Sequence, residues 1–408
     1  MKRFLLGFLV FFAGMTVFAQ DANMSYYVNE FNRLNATFID RLEVLENVRD
    51  LNQTGIGEFY HNALKVLITK FPDIKTLEDR DVMEASVRIA CNGLAAEKYA
   101  DSAPELWQIV QYYDVVKDIN DGLVMQDALV ALGKVGNKDF LPNVIQVLDD
   151  FNTRETSDVE TKRRIQRGVV GCINALQDLH EAAGYRPVFF VYTGWYDPAI
   201  KSMAYDILPN IVDDPGEVIS AIIQDTPNVP SIKYGAWQEM LRTKAPAESK
   251  AKVAAVALAA GWSYPTSSPV YQRDLREMRK SAIDVIRVLG VQDNSVYVNL
   301  DRSYTNNFIS AYPDYDEIRK TLDALAAIKT DEAVQLLLKF LRDLHTRRRS
   351  GPWGVTKERQ LFNWVISSIG ATKTQNPDVK TMLITIQRSQ DYTGAEQGWA
   401  TAALKELQ

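Results

Sequence analysis

A short helix-ending phrase recurs along the chain and constrains the fold more than any other feature. It reads ALG at 131–133, VLG at 288–290 and SIG at 368–370. The closing aliphatic residues form a series with a mean spacing of ~39 residues: Leu94, Leu132, Leu176, Leu208, Leu241, Leu289, Ile328, Ile369 and Leu407. A period of this length is typical of stacked structural repeats.

The residue four positions before each of these aliphatic residues is also apolar, and it is small or medium-sized at all but one site. The set is Ala90, Ala128, Cys172, Ala204, Trp237, Val285, Ala324, Val365 and Ala403. Residues four apart share one face of a helix, and a small residue there lets a neighbouring helix approach closely. The pattern predicts repeats made of a closely packed helix, a turn and a second helix.

Helix-start patterns are frequent, and no convincing alternating strand pattern occurs after residue 24. Ser102 and Thr393 each stand three residues before a glutamate, which is the spacing of a capping box. Asp, Ser or Asn precedes Pro198, Pro269 and Pro377, and proline suits the first position of a helix. We therefore expect an all-α fold.

The segment 127–148 resembles a HEAT-like repeat of the type found in phycobilisome lyases, and 282–290, 321–341 and 361–386 resemble it more loosely. The resemblance implies an α-solenoid of about eight helix pairs. It covers residues 81–408.

Residues 20–80 are then expected to form an N-terminal helical cap. The resemblance also implies that second helices, such as 331–346 and 377–388, line the concave face. A binding scaffold is the function it implies, because a fold alone does not imply an activity.

The first 19 residues have the order of a secretory signal peptide. Lys2 and Arg3 precede an apolar run that ends in small residues, and cleavage is expected between Ala19 and Gln20. An uncleaved anchor is the alternative, although the run is short for a membrane span. No later segment approaches membrane length, so we expect a periplasmic or secreted protein with no integral membrane segment after cleavage.

Composition narrows the function further. The net charge of −6 argues against a general nucleic-acid binder, and only three histidines argue against a histidine metal centre. Phosphate-loop, zinc-protease and nucleophile-elbow motifs do not occur. We expect no cofactor, no metal and no catalysis. Cys91 and Cys172 lie on apolar stripes and are expected to be buried and unpaired.

Aromatic residues near the links between helices form the first candidate site. An exposed aromatic edge could bind partner peptides or glycan, and its candidates are Tyr185, Trp195, Tyr196, Trp262 and Tyr264. The alternative is that these rings are buried and seal neighbouring repeats.

A cationic segment forms the second candidate site. Residues 339–359 contain seven Lys or Arg and two acidic residues. The candidate residues for binding an acidic partner or anion are Lys339, Arg342, Arg347, Arg348, Arg349 and Trp353. The alternative is a solvated helix end, where cations also complement the helix dipole.

Together these patterns predict a non-catalytic exported scaffold that binds a protein partner. A module that binds glycan or another envelope polymer through the aromatic links and the arginines is the alternative. An enzyme with a site dispersed over several repeats is a remote third.

Overall fold

The protein is an all-α solenoid, as the sequence predicts. The computed structural model describes residues 24–113, 122–310, 312–350, 354 and 357–407, and all regular structure in these ranges is helical. Ala19, Gln20 and Trp353 lie outside the described residues. The chain divides into two compact units, Met1–Val212 and Asp213–Gln408.

The first unit contains ten α-helices in its described ranges. They are α1 (24–31), α2 (Phe38–Asp50), α3 (Gly57–Lys70), α4 (Leu77–Glu97), α5 (Ala103–Tyr112), α6 (Leu123–Val135), α7 (Leu141–Thr153), α8 (Val159–Leu179), α9 (Tyr185–Thr193) and α10 (Pro198–Ile207). From α2 to α10, each even-numbered helix packs on the next even-numbered one. Helices α3 and α5 pack together, as do α7 and α9, so the unit has an even and an odd layer.

The second unit contains ten more helices in its described ranges. They are α11 (Gly216–Gln224), α12 (Pro230–Arg242), α13 (Ala247–Ser263), α14 (Pro269–Leu289), α15 (Asn294–Ile309), α16 (Tyr315–Ile328), α17 (Asp331–Ser350), α18 (Lys357–Thr372), α19 (Pro377–Arg388) and α20 (Gly394–Glu406). The even layer runs from α12 to α20, and α11, α13, α15 and α17 form successive contacts in the odd layer.

The N-terminal helices continue the same packing pattern. Helix α2 packs on α4, and α3 packs on α4 and α5, as helices of later repeats do. The expected division between residues 80 and 81 falls inside α4.

Most helix starts agree with the sequence pattern. Pro198, Pro269 and Pro377 each begin a helix, and Thr393 forms a complete capping box with Glu396. The capping box predicted at Ser102 is wrong. Its hydroxyl donates to the Tyr99 carbonyl, because a short 3₁₀ turn precedes α5.

The predicted core positions are correct in seven helical units and displaced in two. Leu241 and Leu289 are partly exposed, whereas the other seven closing aliphatic residues are buried. In α12 the buried pair four residues apart is Ala236 and Met240. In α14 the corresponding buried pair is Ala282 and Ile286.

The recurring glycine has two different physical roles. Gly290 ends α14 in the left-handed region at φ 64°. Gly133 instead lies inside α6, where a Cβ would stand 2.5 Å from the Cα of Ala175 in α8. Its absent side chain therefore lets successive even-layer helices approach closely.

Both cysteines are in the core, as predicted. Cys91 and Cys172 are free thiols with no exposed surface. Burial raises the pKa of both thiols, so they are held in the protonated form.

Candidate functional site

The cationic residues at the start of the predicted anion site are paired with carboxylates of neighbouring helices. Lys339 in α17 binds Asp301 in α15 at 2.6 Å between Nζ and Oδ1. Arg342 lies 3.5 Å from Asp378 at the start of α19. These pairs connect residues 38 and 36 positions apart in the sequence.

The three consecutive arginines also have acidic partners, but in different environments. Arg347 lies 3.0 Å from Glu358, whose side chain is 7% exposed. Arg348 lies 3.6 Å from Glu396, which is 1% exposed, whereas Arg349 faces the exposed Asp391. The arginines thus join α17 to α18 and to the start of α20, and their anion-binding role stays a prediction.

Two members of the predicted aromatic edge are in the core. Tyr185 and Tyr196 are buried, so the expectation that they form an exposed edge is wrong. The Tyr196 hydroxyl donates to the Asn152 side chain at 3.0 Å, and burial raises its pKa. Trp195 stacks on Tyr196 with ring centroids 4.6 Å apart. The link between α9 and α10 thus packs against α7 through Tyr196, and burial explains this part of the aromatic pattern.

Trp262 is held in a polar cluster within the second unit. Its indole N–H donates to Ser303 at 2.8 Å, and the Arg279 guanidinium lies 3.8 Å from the ring centroid. The same guanidinium makes a bidentate ion pair with the fully buried Glu317, at 2.7 and 2.9 Å. Trp262 therefore fixes the end of α13 against α14 and α15.

Tyr264 lines a groove of the second unit, a cavity of about 600 Å³ between α11, α13 and α15. Its floor is formed by small residues on the outer face of α13, which are Ala255, Val256, Ala259 and Ala260. Gln224, Thr226, Ser263, Tyr264 and Ser295 provide polar groups at its walls. Cavities of this size with few polar groups are typical of ligand sites. We call this cavity the Lys233 groove.

Lys233 is the charged residue of the groove. The residue is 4% exposed, and its ammonium donates to the carbonyl oxygens of Ile223 and Asp225, both at 2.6 Å. Burial lowers the pKa of Lys233, and the charge of Asp225 partly opposes that change. These two carbonyls lie at the C-terminal end of α11, where the helix dipole also favours a cation.

The sequence reading missed Lys233. It stands four residues before the buried Trp237, so it occupies the core-facing side of α12. A lysine at an apolar stripe position is a signal that sequence reasoning could have used, because lysine is almost never fully buried without a partner.

A second cavity adjoins the Lys233 groove at the opposite end of α13. It has a volume of about 450 Å³ and shares Gln224 with the first. Its acidic residues are Asp214, Glu217 and Glu248, and its single cation is Lys252, which pairs with Glu248 at 2.9 Å. The furrow between α11 and α13 is therefore acidic at one end and cationic at the other.

The first unit has a cavity of its own, about 410 Å³ in volume, beside α5 and α7. Trp107 and Phe151 line it, and its charged residues Asp150 and Arg154 face each other at 3.6 Å. Its two charged residues are therefore paired with each other.

Neither a metal cluster nor a membrane-spanning helix occurs in the described ranges. These residues include no group of three or more His, Cys, Asp or Glu placed to hold a metal ion. None of their helices has both the length and the apolarity needed to cross a membrane.

Each histidine has a structural contact. His61 lies 2.9 Å from Glu105, His180 contacts the Asn210 carbonyl, and His345 contacts the Tyr392 hydroxyl.

Comparisons with known proteins identify no family. No family model matches the chain, and no curated protein does. A solved structure described as "A conserved phosphorylation switch controls the interaction between cadherin and beta-catenin in vitro and in vivo" is similar over 93% of this chain and 99% of that one. The two sequences are 10% identical and the TM-score is 0.26, so the structural similarity is weak.

Proposed function

We propose that the protein is a non-catalytic, exported scaffold whose HEAT-like repeats bind a protein partner along the odd layer of helices. The observation that carries this proposal is the furrow between α11 and α13. Two adjoining cavities, joined at Gln224, follow these helices over a length suited to a segment of chain. Small side chains on α13 leave room for such a segment to lie close to the helix.

The furrow favours a protein segment over a glycan as the occupant. Its floor consists of methyl and isopropyl groups, and Tyr264 is its one aromatic residue. Glycan would need more polar groups and ring faces than this floor offers. An apolar floor with charged groups at its two ends suits a peptide with apolar side chains and charged ends.

The experiment is partner capture from cross-linked cell envelopes with a blocked groove. We expect Ala259→Trp to fill the Lys233 groove and to reduce recovery of the partner at least tenfold. Ala327→Trp is the matched control, because Ala327 is exposed on α16, away from the groove. Circular dichroism of both variants verifies the fold. Equal recovery of the same partner by wild type and Ala259→Trp contradicts the proposal.

A further inference from the structure

We propose that the cavity between α5 and α7 in the first unit binds one neutral sugar ring of a glycan, stacked on Trp107 and hydrogen-bonded by side-chain amides. We call it the Trp107 cavity. The inference goes beyond the proposed function, because this cavity belongs to the first unit and the furrow to the second. Three observations carry it: an opening in the odd layer, an aromatic ring beside uncommitted amides, and balanced charge.

The cavity lies where the odd layer is open between α5 and α7. Helix α5 packs on α3 and α6, whereas α7 packs on α8 and α9. Met125 of α6 and Phe151 of α7 are buried and line the remaining space, which has a volume of about 410 Å³. Pockets for small ligands have volumes of about 300–1,000 Å³. The opening is therefore large enough for a sugar ring.

Trp107 supplies an aromatic face in this cavity. It lies in the middle of α5, where its side chain is half-buried. The centroid of its ring lies 6.4 Å from that of Phe140, in the turn before α7, and this neighbour restricts the orientation of the indole. The face of an aromatic ring carries partial negative charge, which attracts the weakly positive C–H groups on a sugar face. A ring already held in place loses little conformational entropy on binding.

Three side-chain amides line the same space. Gln111 lies one turn after Trp107 on α5, and Asn143 and Gln146 lie on the cavity-lining face of α7. These amides and the Trp107 N–H form no hydrogen bond with described residues. Each amide offers an acceptor oxygen and two donor hydrogens, and each sugar hydroxyl both donates and accepts. The amides can therefore pair with neighbouring hydroxyls of one sugar ring.

The charges of the cavity are balanced. The charged residues that line it are Asp150 and Arg154, which lie 3.6 Å apart on successive turns of α7. Both are exposed, so each retains hydrogen-bonding capacity toward a hydroxyl. A charged ligand would meet no net opposite charge here and would lose part of its hydration. The cavity therefore favours a neutral sugar over an acidic sugar or an amino sugar.

A sugar ring fits this cavity better than an extended peptide. The packed pairs α3–α5 and α7–α9 close the odd layer on both sides of it. An extended peptide would have to continue over these packed helices, whereas a sugar ring ends within the opening. A sugar ring also has C–H groups on its faces and hydroxyls around its edge. One aromatic face beside several amides matches both kinds of group.

The test uses the purified full-length chain and the methyl glycosides of glucose, galactose, mannose and N-acetylglucosamine. The methyl glycosides of glucuronic acid and glucosamine are the charged comparisons. Saturation-transfer NMR detects binding, and its concentration dependence gives the affinity. We expect at least one neutral glycoside to bind at least tenfold tighter than the charged sugars. The strongest saturation transfer should reach C–H protons on one face of its ring.

Two variants assign binding to the Trp107 cavity. Trp107→Ala should weaken binding at least tenfold, because it removes the stacking face. The double variant Gln111→Ala/Gln146→Ala should weaken binding severalfold. Both glutamines are exposed, so this variant tests the assignment even if Trp107→Ala does not fold. The matched control is Gln335→Ala/Gln360→Ala, which changes two exposed glutamines of the second unit and should bind like wild type.

Absence of binding by every neutral glycoside overturns this inference, as does binding that both cavity variants leave unchanged. Tighter binding of a charged sugar contradicts the neutral ligand. Loss of partner capture by Trp107→Ala without any glycoside binding would show that the cavity binds protein, which also overturns the sugar assignment.

The furrow variant separates this inference from the proposed function. Ala259→Trp fills the furrow of the second unit and should leave glycoside binding unchanged. If partner capture depends on Ala259 while no glycoside binds, the scaffold function stands and the sugar site fails. If a glycoside binds at the Trp107 cavity while partner capture ignores Ala259, the scaffold proposal fails and the sugar site stands.

Discussion

Glu239 shows how burial of a single residue links the stability of this protein to pH. Its side chain in α12 is 3% exposed, and its nearest cation is Arg242 at 2.9 Å. Burial raises the pKa of Glu239 to about 7, although the Arg242 charge opposes this. The folded protein therefore binds this proton more tightly than the unfolded chain. The contribution of protonated Glu239 to the free energy of unfolding is therefore fully present below the unfolded pKa of 4.5. It is lost as pH rises through about 7.

We predict that Glu239→Gln removes this pH dependence. The amide keeps the shape of the protonated carboxyl and has no proton to lose. The variant should melt at the same temperature as wild type near pH 5 and at a higher temperature at pH 8. At pH 8 its free energy of unfolding should exceed that of wild type by up to about 3 kcal/mol.

Thermal melts between pH 4.5 and 8.5 test this prediction. Glu332→Gln serves as the control, since Glu332 is exposed in the first turn of α17. Parallel pH profiles for wild type and Glu239→Gln would show that Glu239 titrates in its ordinary range.

At the scale of helices, ion pairs recur between neighbouring repeats. Arg88 in α4 binds Asp127 in α6 at 2.7 Å, and Lys134 in α6 binds Asp178 in α8 at 2.8 Å. In the second unit, the Arg279 pair joins α14 to α16 across 38 residues. Each pair connects side chains one repeat apart. Long-range pairing of this kind gives the stacked helices a defined register.

We predict that serine substitutions of the three consecutive arginines at the end of α17 reduce the stability of the protein to different extents. Arg347→Ser and Arg348→Ser leave Glu358 and Glu396 buried without those partners, so we expect each to lose about 1–3 kcal/mol of stability. Arg349→Ser removes a partner from Asp391, which is 55% exposed, and should cost at most about 1 kcal/mol.

Urea unfolding of the three variants at pH 7 measures these losses. Arg349→Ser is the internal control, because it removes the same side chain from the same helical turn. Three equal and small losses would mean that solvent, not protein, surrounds all three arginines. The sequence reading favoured an exposed cluster, and only the positions of α18 and α20 showed the buried carboxylates.

At the scale of the whole molecule, export is the property that the first 19 residues predict. We expect the native protein to begin at Gln20. A signal peptide is recognised by its basic start, its apolar run and the small residues before the cleavage site, and the first 19 residues have this order. Mass spectrometry of the protein purified from cell fractions identifies the first residue of the native chain directly. An intact Met1 in the envelope would show that the segment remains as an anchor.

The sequence alone determined the helical class, the repeat period and most of the core. Amphipathic patterning acts between residues three or four apart, so helix faces such as Ala128 with Leu132 can be read locally. The errors in α12 and α14 have the same origin, since Met240 and Ile286 offer equally good stripes within three residues of the predicted ones. Choosing between such stripes requires the neighbouring helix.

Only the tertiary structure decided which side chains meet. The Lys233 groove joins Ile223 to Ala259 and Ser295, which are far apart in the chain, and its cation is held by carbonyls that carry no sequence signature. The partners of the arginines likewise lie in other helices. Burial and pairing depend on which helices become neighbours, and that arrangement results from long-range packing that no local pattern encodes.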